Sequence, residues 1–291
     1  MKIAVHGRNF RSEAFTSIQQ MFDKLHELGF EVMVSEGFQP FLNEVGIQRS
    51  NEVVYSEDSE LKEVDFLFSV GGDGTMLESI TQIREKEIPI LGINTGRLGF
   101  LATTSTNDIS AAINSIASGH YHYDARSLIH LESNQDIFNG LNFGLNEFTV
   151  TKRDSSSMIV VHTYIDGEYL NSYWADGLII STPTGSTGYS LSCGGPVVLP
   201  QSSNFIITPV APHNLTVRPM IISDSSIISL EVEGRSKNFL ISLDSRSKVI
   251  DSSVQLAISR EAFRVRLIKL NENNFLNTLR NKLNWGLDAR N

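Results

Sequence analysis

Apolar positions in the first third of the chain alternate between strand-like runs and helical stripes. Ile3-Ala4-Val5 is a short apolar run ending at Gly7. Phe15, Ile18, Phe22, Leu25 and Leu28 then share one helical face, stopped by Gly29, and Ser12 is placed to cap that helix. Phe30 to Val34 reads as a second strand. Val64 to Val70 reads as another and lacks alternation, as a strand covered on both faces should. A helix from about Thr75 to Lys86 would bury Met76, Ile80 and Ile83. Ile88 to Ile93 gives a further strand, and Ile109, Ile113 and Ile116 mark a helix ended by Gly119. This order predicts an α/β N-terminal domain with a doubly wound, mostly parallel sheet. Residues Phe41 to Lys62 are polar and weakly periodic, and read as a long connection or a mobile flap.

Beyond Tyr123 the rhythm shortens. From Ser127 to about Lys269 β-rich runs are separated by turn residues. Met158 to Ile165, the turn Asp166-Gly167, and Glu168 to Tyr173 read as one hairpin; Ile227 to Val232, Gly234, and Phe239 to Leu243 read as a second. The spacing predicts an all-β, sandwich-like C-terminal domain. Phe275, Leu276, Leu279 and Leu283 then suggest a short helix outside it.

Composition narrows the classes. At 291 residues the length suits two domains, and 41% apolar with 20% charged residues is ordinary for a globular protein. The formal net charge of −9 argues against extended contact with a nucleic-acid backbone. Phosphorylated ligands would have to be held by local donors and metal against that mean field. A single cysteine, Cys193, excludes an intrachain disulfide and fits a reducing cytoplasm. The first residues already form a strand pattern rather than a signal peptide, and no apolar run approaches a membrane span.

Two glycine-rich stretches carry the chemistry. Gly71-Gly72-Asp73-Gly74-Thr75 follows the Val64 to Val70 run directly, the arrangement that brings backbone N–H groups up to phosphates. A loop that only held phosphate would avoid a carboxylate. Asp73 therefore needs another role, such as binding a metal or taking a proton from an attacking hydroxyl. A plain tight turn is the competing reading. The dinucleotide fingerprint Gly-x-Gly-x-x-Gly and the P-loop pattern are both missing. The second stretch, Ser181 to Pro196, packs glycines and hydroxyls between apolar segments. It suits a ligand rich in hydroxyls and phosphate, with Tyr189 able to stack on a base or ribose. Asn146-Glu147 could read a base edge and a ribose diol together. Asp176 precedes the Leu178-Ile179-Ile180 run, and both acidic elements are equally compatible with turns. His213 reads as a structural hydrogen-bonder, and no histidine or cysteine has metal-ligand spacing.

These motifs, in this order, resemble the NAD kinase family. The resemblance rests on Gly71 to Thr75, Gly92 to Leu101, Asn146-Glu147, Asp176-Gly177, Thr182 to Gly195, Pro212-His213 and Arg218-Pro219, and it covers nearly the whole chain. It implies ATP-dependent phosphorylation of the 2′-hydroxyl of the adenosine ribose of NAD, giving NADP, with a divalent metal, Mg²⁺ being the expected ion. It also implies that the last segment returns to the first domain, so that residues 1–124 completed by 271–291 form the α/β domain and 125–270 the NAD-binding one. Asp73 would then be the catalytic proton acceptor, with Gly72 and Gly74 letting backbone approach the nucleotide. Asn146 and Glu147 would hold the adenosine. Asp176, Thr187, Gly188, Tyr189, Ser190, Leu191, Ser192, Ala211 and Phe100 would complete the NAD site. Family members are commonly homo-oligomers, so a cytoplasmic dimer or tetramer is expected, with Asp176 acting across a subunit boundary. The chain departs from the family pattern at Trp174, where a basic residue is frequent, at Gly188, where alanine is usual, and at Arg246, where a neutral residue is usual. Arg246 could add a phosphate contact or alter preference between NAD and NADP. A lipid or sugar kinase sharing the Gly-Gly-Asp-Gly turn, and a dinucleotide sensor without transfer activity, stay open as rivals.

Overall fold

The structure, a computed structural model, describes residues 1–49, 52–56, 58–153, 157–270 and 274–286. The chain divides into two units, Met1–Ala125 with Val265–Asn291, and Arg126–Arg264.

The first unit is built on one sheet. Its strands are β1 (Lys2–Gly7), β2 (Glu31–Ser35), β3 (Val53–Tyr55), β4 (Phe66–Gly71), β5 (Ile90–Asn94), the short β6 (Thr104–Ser105) and β7 (His122–Arg126). A C-terminal strand, Val265–Lys269, enters between β5 and β7, giving the order β3-β2-β1-β4-β5, then that strand, then β7. The strands from β3 to Val265–Lys269 run parallel, and β6 pairs with β5 in the same sense. β4 is buried along its whole length, as its unbroken apolar run requires. The helices α1 (Phe15–Glu27), α2 (Gln39–Glu44) and α4 (Ile109–Ala117) lay Ile18, Met21, Leu25, Leu42 and Ile113 against Val5, Phe68 and Leu91. α3 (Asp73–Ile83) takes the opposite face, where Ser79 Oγ donates to Ser69 Oγ at 2.9 Å.

Three local expectations change. Ser12 makes no side-chain cap; it opens a single 3₁₀ turn, Ser12–Ala14, that leads into α1. α3 ends at Ile83 rather than near Lys86, which instead closes a 3₁₀ turn. The Phe41 to Lys62 stretch is more structured than a bare connection. It holds most of α2, the strand β3 and a 3₁₀ turn, with Leu42, Ile47, Tyr55 and Leu61 buried. β3 is a three-residue edge strand whose Val53 and Val54 face solvent, too short to show a period. Ser50, Asn51 and Glu57 of that stretch lie outside the described residues.

The second unit is a sandwich of two six-stranded sheets. In chain order the strands are β8 (Ile129–Ser133), β9 (Phe143–Gly144), β10 (Glu147–Lys152), β11 (Ile159–Ile165), β12 (Glu168–Ala175), β13 (Gly177–Ser181), β14 (Asn204–Val210), β15 (Met220–Ser223), β16 (Ile228–Gly234), β17 (Asn238–Leu243), β18 (Arg246–Asp251) and β19 (Leu256–Arg260). One sheet runs β15-β14-β13-β10-β17-β18 and the other β12-β11-β16-β19-β8-β9. Phe148, Val150, Leu178, Ile180 and Ile241 from the first meet Val161, Leu230, Val232 and Ile258 from the second in one core.

The Asp166-Gly167 hairpin forms as expected, with φ of 52° and 84° at the two turn residues, the left-handed pair that a two-residue loop requires. The second expected hairpin does not form. β16 pairs with β11 and β19, whereas β17 lies in the other sheet between β10 and β18. Alternation shows that a strand has a buried face without showing which sheet owns it. The β-rich stretch runs to Lys269, and its last strand, Val265–Lys269, joins the first unit's sheet.

Candidate active site

In the first unit the chemistry gathers where the parallel strands end. Asp73 is the first residue of α3, directly after β4 and Gly72. Its carboxylate accepts three backbone N–H bonds from the segment beyond β5: Oδ2 from Phe100 at 2.9 Å, Oδ1 from Leu101 at 3.0 Å and Ala102 at 3.1 Å. Gly99 is what lets that segment close. A Cβ there would lie 2.0 Å from Asp73 Oδ1. At Gly72 and Gly74 a Cβ would meet nothing within 4 Å, so the turn's outer side stays open to a ligand.

The C-terminal helix Phe275–Leu283 also reaches this carboxylate. Lys282 Nζ lies 3.6 Å from Asp73 Oδ2 and 5.0 Å from the centroid of the Phe100 ring, and Phe275 packs on the same ring. Asp73 therefore has a fixed orientation and a neighbouring cation. Oδ2 takes one N–H bond and an ion pair too long for a hydrogen bond, leaving a lone pair for an incoming hydroxyl.

In the second unit Glu147 begins β10 directly after Asn146, and Glu147 pairs with Ser181 at the end of β13. Asp244, in the β17–β18 turn at φ 51°, fixes them from behind. Its carboxylate accepts the N–H groups of Leu145 at 2.8 Å, Asn146 at 2.7 Å and Glu147 at 3.2 Å. The residue is half-buried but its carboxylate is turned inward, and burial pushes its pKa up against the pull of those three bonds. Glu147 is pushed up to about 8, first by burial and then by the Asp244 charge. Its Oε2 is buried without a hydrogen-bond partner.

The hydroxyl-rich stretch packs directly on this pair. Thr182 N–H donates to the Asn146 carbonyl at 2.9 Å and Thr182 Oγ1 to the Leu145 carbonyl at 2.6 Å. A Cβ at Gly185 would lie 2.1 Å from the Asn146 carbonyl oxygen, so only glycine fits there. Gly188 is less constrained, with Glu147 Oε2 3.3 Å from where a Cβ would be. Leu178 and Ile180 point into the sandwich, which puts Glu147, Ile179 and Thr208 on the outer face of this sheet. Ser190 anchors the short helical turn Tyr189–Ser192 there through a 2.8 Å bond to Thr208 Oγ1. Ser190 is fully buried, whereas Tyr189 is 41% exposed and available for stacking.

Asp176 and Ala211 meet at the other end of β13, where Asp176 N–H donates to the Val210 carbonyl at 2.9 Å. That end lies roughly 15 Å along the strand from Glu147. Asp176 pairs with Lys152 at 2.7 Å, and Ala211 holds a left-handed φ of 45°, a strain that needs a reason in a non-glycine residue. Thr187 sits in the 3₁₀ turn Thr184–Thr187, and Leu191 is half-buried in the helical turn beyond it. Arg246's guanidinium donates to the carbonyls of Leu141 and Phe143 and lies over the rings of Phe138 and Phe143, which ties β18 to β9. No motif in the sequence singles out Lys282 beside Asp73 or Asp244 beneath Asn146-Glu147, whereas Gly99 lies within the Gly92 to Leu101 motif.

A doubly wound sheet ending in a glycine turn with an oriented carboxylate, and a sandwich carrying a half-buried Asn-Glu pair under a hydroxyl-rich stretch, define a nucleotide-binding class of protein. The family described as ATP-NAD kinase N-terminal domain matches residues 3–121, and that described as ATP-NAD kinase C-terminal domain matches residues 145–270. The NAD kinase of Cytophaga hutchinsonii is 52% identical over 292 residues, spanning 100% of both chains. That of Flavobacterium psychrophilum is 46% identical, again over 100% of both. Among solved structures, an NAD kinase from Archaeoglobus fulgidus in complex with ATP gives a TM-score of 0.75 at 27% identity, covering 95% of this chain and 96% of that one. Yeast NADH kinase complexed with NADH shares the fold, with a TM-score of 0.89 at 21% identity over 100% of this chain and 89% of that one. The chain belongs to the NAD kinase family.

Proposed function

We propose that this chain transfers the γ-phosphoryl group of ATP to the 2′-hydroxyl of the adenosine ribose of NAD, with Asp73 as the proton acceptor. Family membership carries the overall activity, ATP-dependent phosphorylation of NAD. The observation that supports the mechanism is the Asp73 carboxylate, held by three successive backbone N–H groups with one lone pair left open. A bond forms between the 2′-oxygen and phosphorus as the bond from phosphorus to the bridging oxygen breaks, and ADP leaves with that electron pair. A carboxylate is a feeble base toward a sugar hydroxyl. In a loose phosphoryl-transfer transition state the proton becomes acidic only as the new bond forms, so a late, well-placed acceptor suffices. Such help is worth about 10²–10⁴-fold. Alignment and electrostatics supply the rest.

Asn146 and Glu147 would hold the adenosine, with Tyr189 stacking and Asp176 and Ala211 serving the far part of NAD. A divalent metal, Mg²⁺ being the expected ion, would neutralise charge on the phosphates. Among the described residues no three His, Cys, Asp or Glu side chains gather into a cage, which suits an ion held mainly by phosphate oxygens and one or two carboxylates. The reading extends to a cytoplasmic homo-oligomer. It is supported by the lone cysteine and by Trp174, Met220 and Ile221, exposed on the edge strands β12 and β15.

The test supplies ATP, Mg²⁺ and NAD and reads NADP by a dehydrogenase-coupled absorbance. Wild type should produce it. Asp73→Asn should lose at least about 100-fold in kcat while NAD affinity stays within about threefold. Undiminished turnover would remove Asp73 from this role.

A further inference from the structure

Trp174 lines a cavity of about 940 Å³ in the second unit that none of the roles above uses. Trp174 pairs with Val160 and Val160 with Glu233, so the three form one row across β12, β11 and β16. Their chain neighbours Tyr173, Val161 and Val232 point into the sandwich core. Successive side chains of a strand alternate, so the row faces outward, and Trp174 is 57% exposed. Glu147 and Thr208 lie on the outer face of the opposite sheet. The cavity is therefore separate from the Asn146-Glu147 site of the same chain.

The cavity's lining is cationic as well as aromatic. β16 and β17 belong to different sheets, so the loop joining them crosses one end of the sandwich. That loop brings Arg235 and Lys237 to the cavity wall. Ser236 between them accepts from Asn238 N–H at 3.2 Å, which fixes the bend. Arg235 and Lys237 are exposed, and neither side chain makes an ion pair or hydrogen bond with a described residue. Glu233 is the one carboxylate among the described lining residues, and it lies 3.6 Å from His162 Nε2. The lining is thus net positive in a chain of net charge −9.

We propose that this cavity binds a nucleoside monophosphate, its base stacked on Trp174 and its phosphate held by Arg235 and Lys237. An indole face accepts any flat base, with Met158 and Val160 adding apolar contact beside it. A guanidinium fork matches two phosphate oxygens, and the lysine adds a point charge. The volume falls within the range of small-ligand sites, about 300–1,000 Å³. An inorganic anion would leave the indole unused, and an apolar ligand would leave both cations unused. The proposal concerns binding alone and stands whether or not the chain transfers phosphate.

The chain has two tryptophans, and Trp285 lies in the other unit, so Trp285→Phe leaves Trp174 as the reporter. Titrating this full-length variant with AMP should quench its fluorescence with half-saturation below about 1 mM. Adenosine should need at least tenfold more, and inorganic phosphate alone should not quench. Adding Arg235→Ala and Lys237→Ala should weaken AMP quenching at least tenfold, with thermal melts confirming the fold. Adding Glu147→Gln should leave it unchanged. Calorimetry of AMP on otherwise wild-type protein, with and without Trp174→Ala, repeats the test without the Trp285 substitution. Absence of quenching, or quenching lost with Glu147→Gln and kept without the two cations, overturns the site. Emission that shifts on diluting the protein and ignores AMP would assign Trp174 to contact with a second copy, and overturns it too.

Discussion

Glu147 carries the strongest pH signature of any single side chain in the site. In the free protein its carboxyl, pushed up to about 8, is largely protonated at neutral pH. A ribose diol presents two O–H donors, which an ionised carboxylate accepts better than the acid does. Binding therefore selects the ionised form, and NAD affinity should rise from about pH 6 to about pH 8 and flatten above. Calorimetric titration across that range should show this slope in wild type and not in Glu147→Gln; a flat wild-type profile contradicts the assignment. Stability moves the other way. The folded-state pKa lies above its ordinary 4.5, so the free protein should lose stability as pH rises between 4.5 and about 8, and Glu147→Gln should remove that slope. Asp244→Asn should move both transitions to lower pH, because the Asp244 charge is the second cause of the shift. Asn146-Glu147 was legible in the sequence as an amide beside a carboxylate in an apolar context. Asp244 was not, because the three amides it holds are 97 to 99 residues away along the chain.

Within each unit, elements meet through glycines, and the contacts rank them. Gly99 and Gly185 face atoms 2.0 Å and 2.1 Å from where a Cβ would lie, whereas Gly188 faces the flexible end of Glu147 at 3.3 Å. Gly185→Ala would drive a methyl into the Asn146 backbone, and about 1–3 kcal/mol of destabilisation is expected, with weaker NAD binding. Gly99→Ala would push the Phe100 to Ala102 amides off Asp73 and should lower kcat before it changes KM for NAD. Gly188→Ala should cost less than either, since a Cβ there would meet the Glu147 carboxyl and the Gly185 carbonyl no closer than 3.3 Å. Melting curves on the three variants check the order; equal losses would contradict it. The helices α1, α3 and α4 and the buried strands β1, β4 and β5 were legible from their apolar patterns, whereas α2 is too short to show a period, and the Asp166-Gly167 turn was legible because its two residues dictate left-handed backbone. The pairing of β16 and β17 was not. Both strands alternate in the same way, and their sheet is chosen by partners distant in sequence, such as β11 for β16 and β10 for β17.

At the scale of the whole molecule the decisive feature is the return of the chain end. Val265–Lys269 reads as one more β run, and nothing in its alternation tells which unit it completes. In the folded protein it lies between β5 and β7, with Val265, Leu267 and Ile268 buried. A chain ending at Arg264 would leave two unpaired edges inside the first unit's sheet and lose three core side chains, each worth roughly 1.5–3 kcal/mol of burial. Together that is comparable to the whole stability of an ordinary domain, about 5–15 kcal/mol, so the first unit should fail to fold and the product should aggregate. A chain ending at Leu270 keeps the strand and loses only the helix that brings Phe275 and Lys282 to Phe100 and Asp73. It should retain the circular dichroism of the full chain, with NADP formation reduced because Asp73 has lost its neighbouring cation. Comparing melts and turnover of the two truncations separates the strand's part from the helix's. A cooperative, soluble melt for the shorter chain would show that the sheet does not need its last strand.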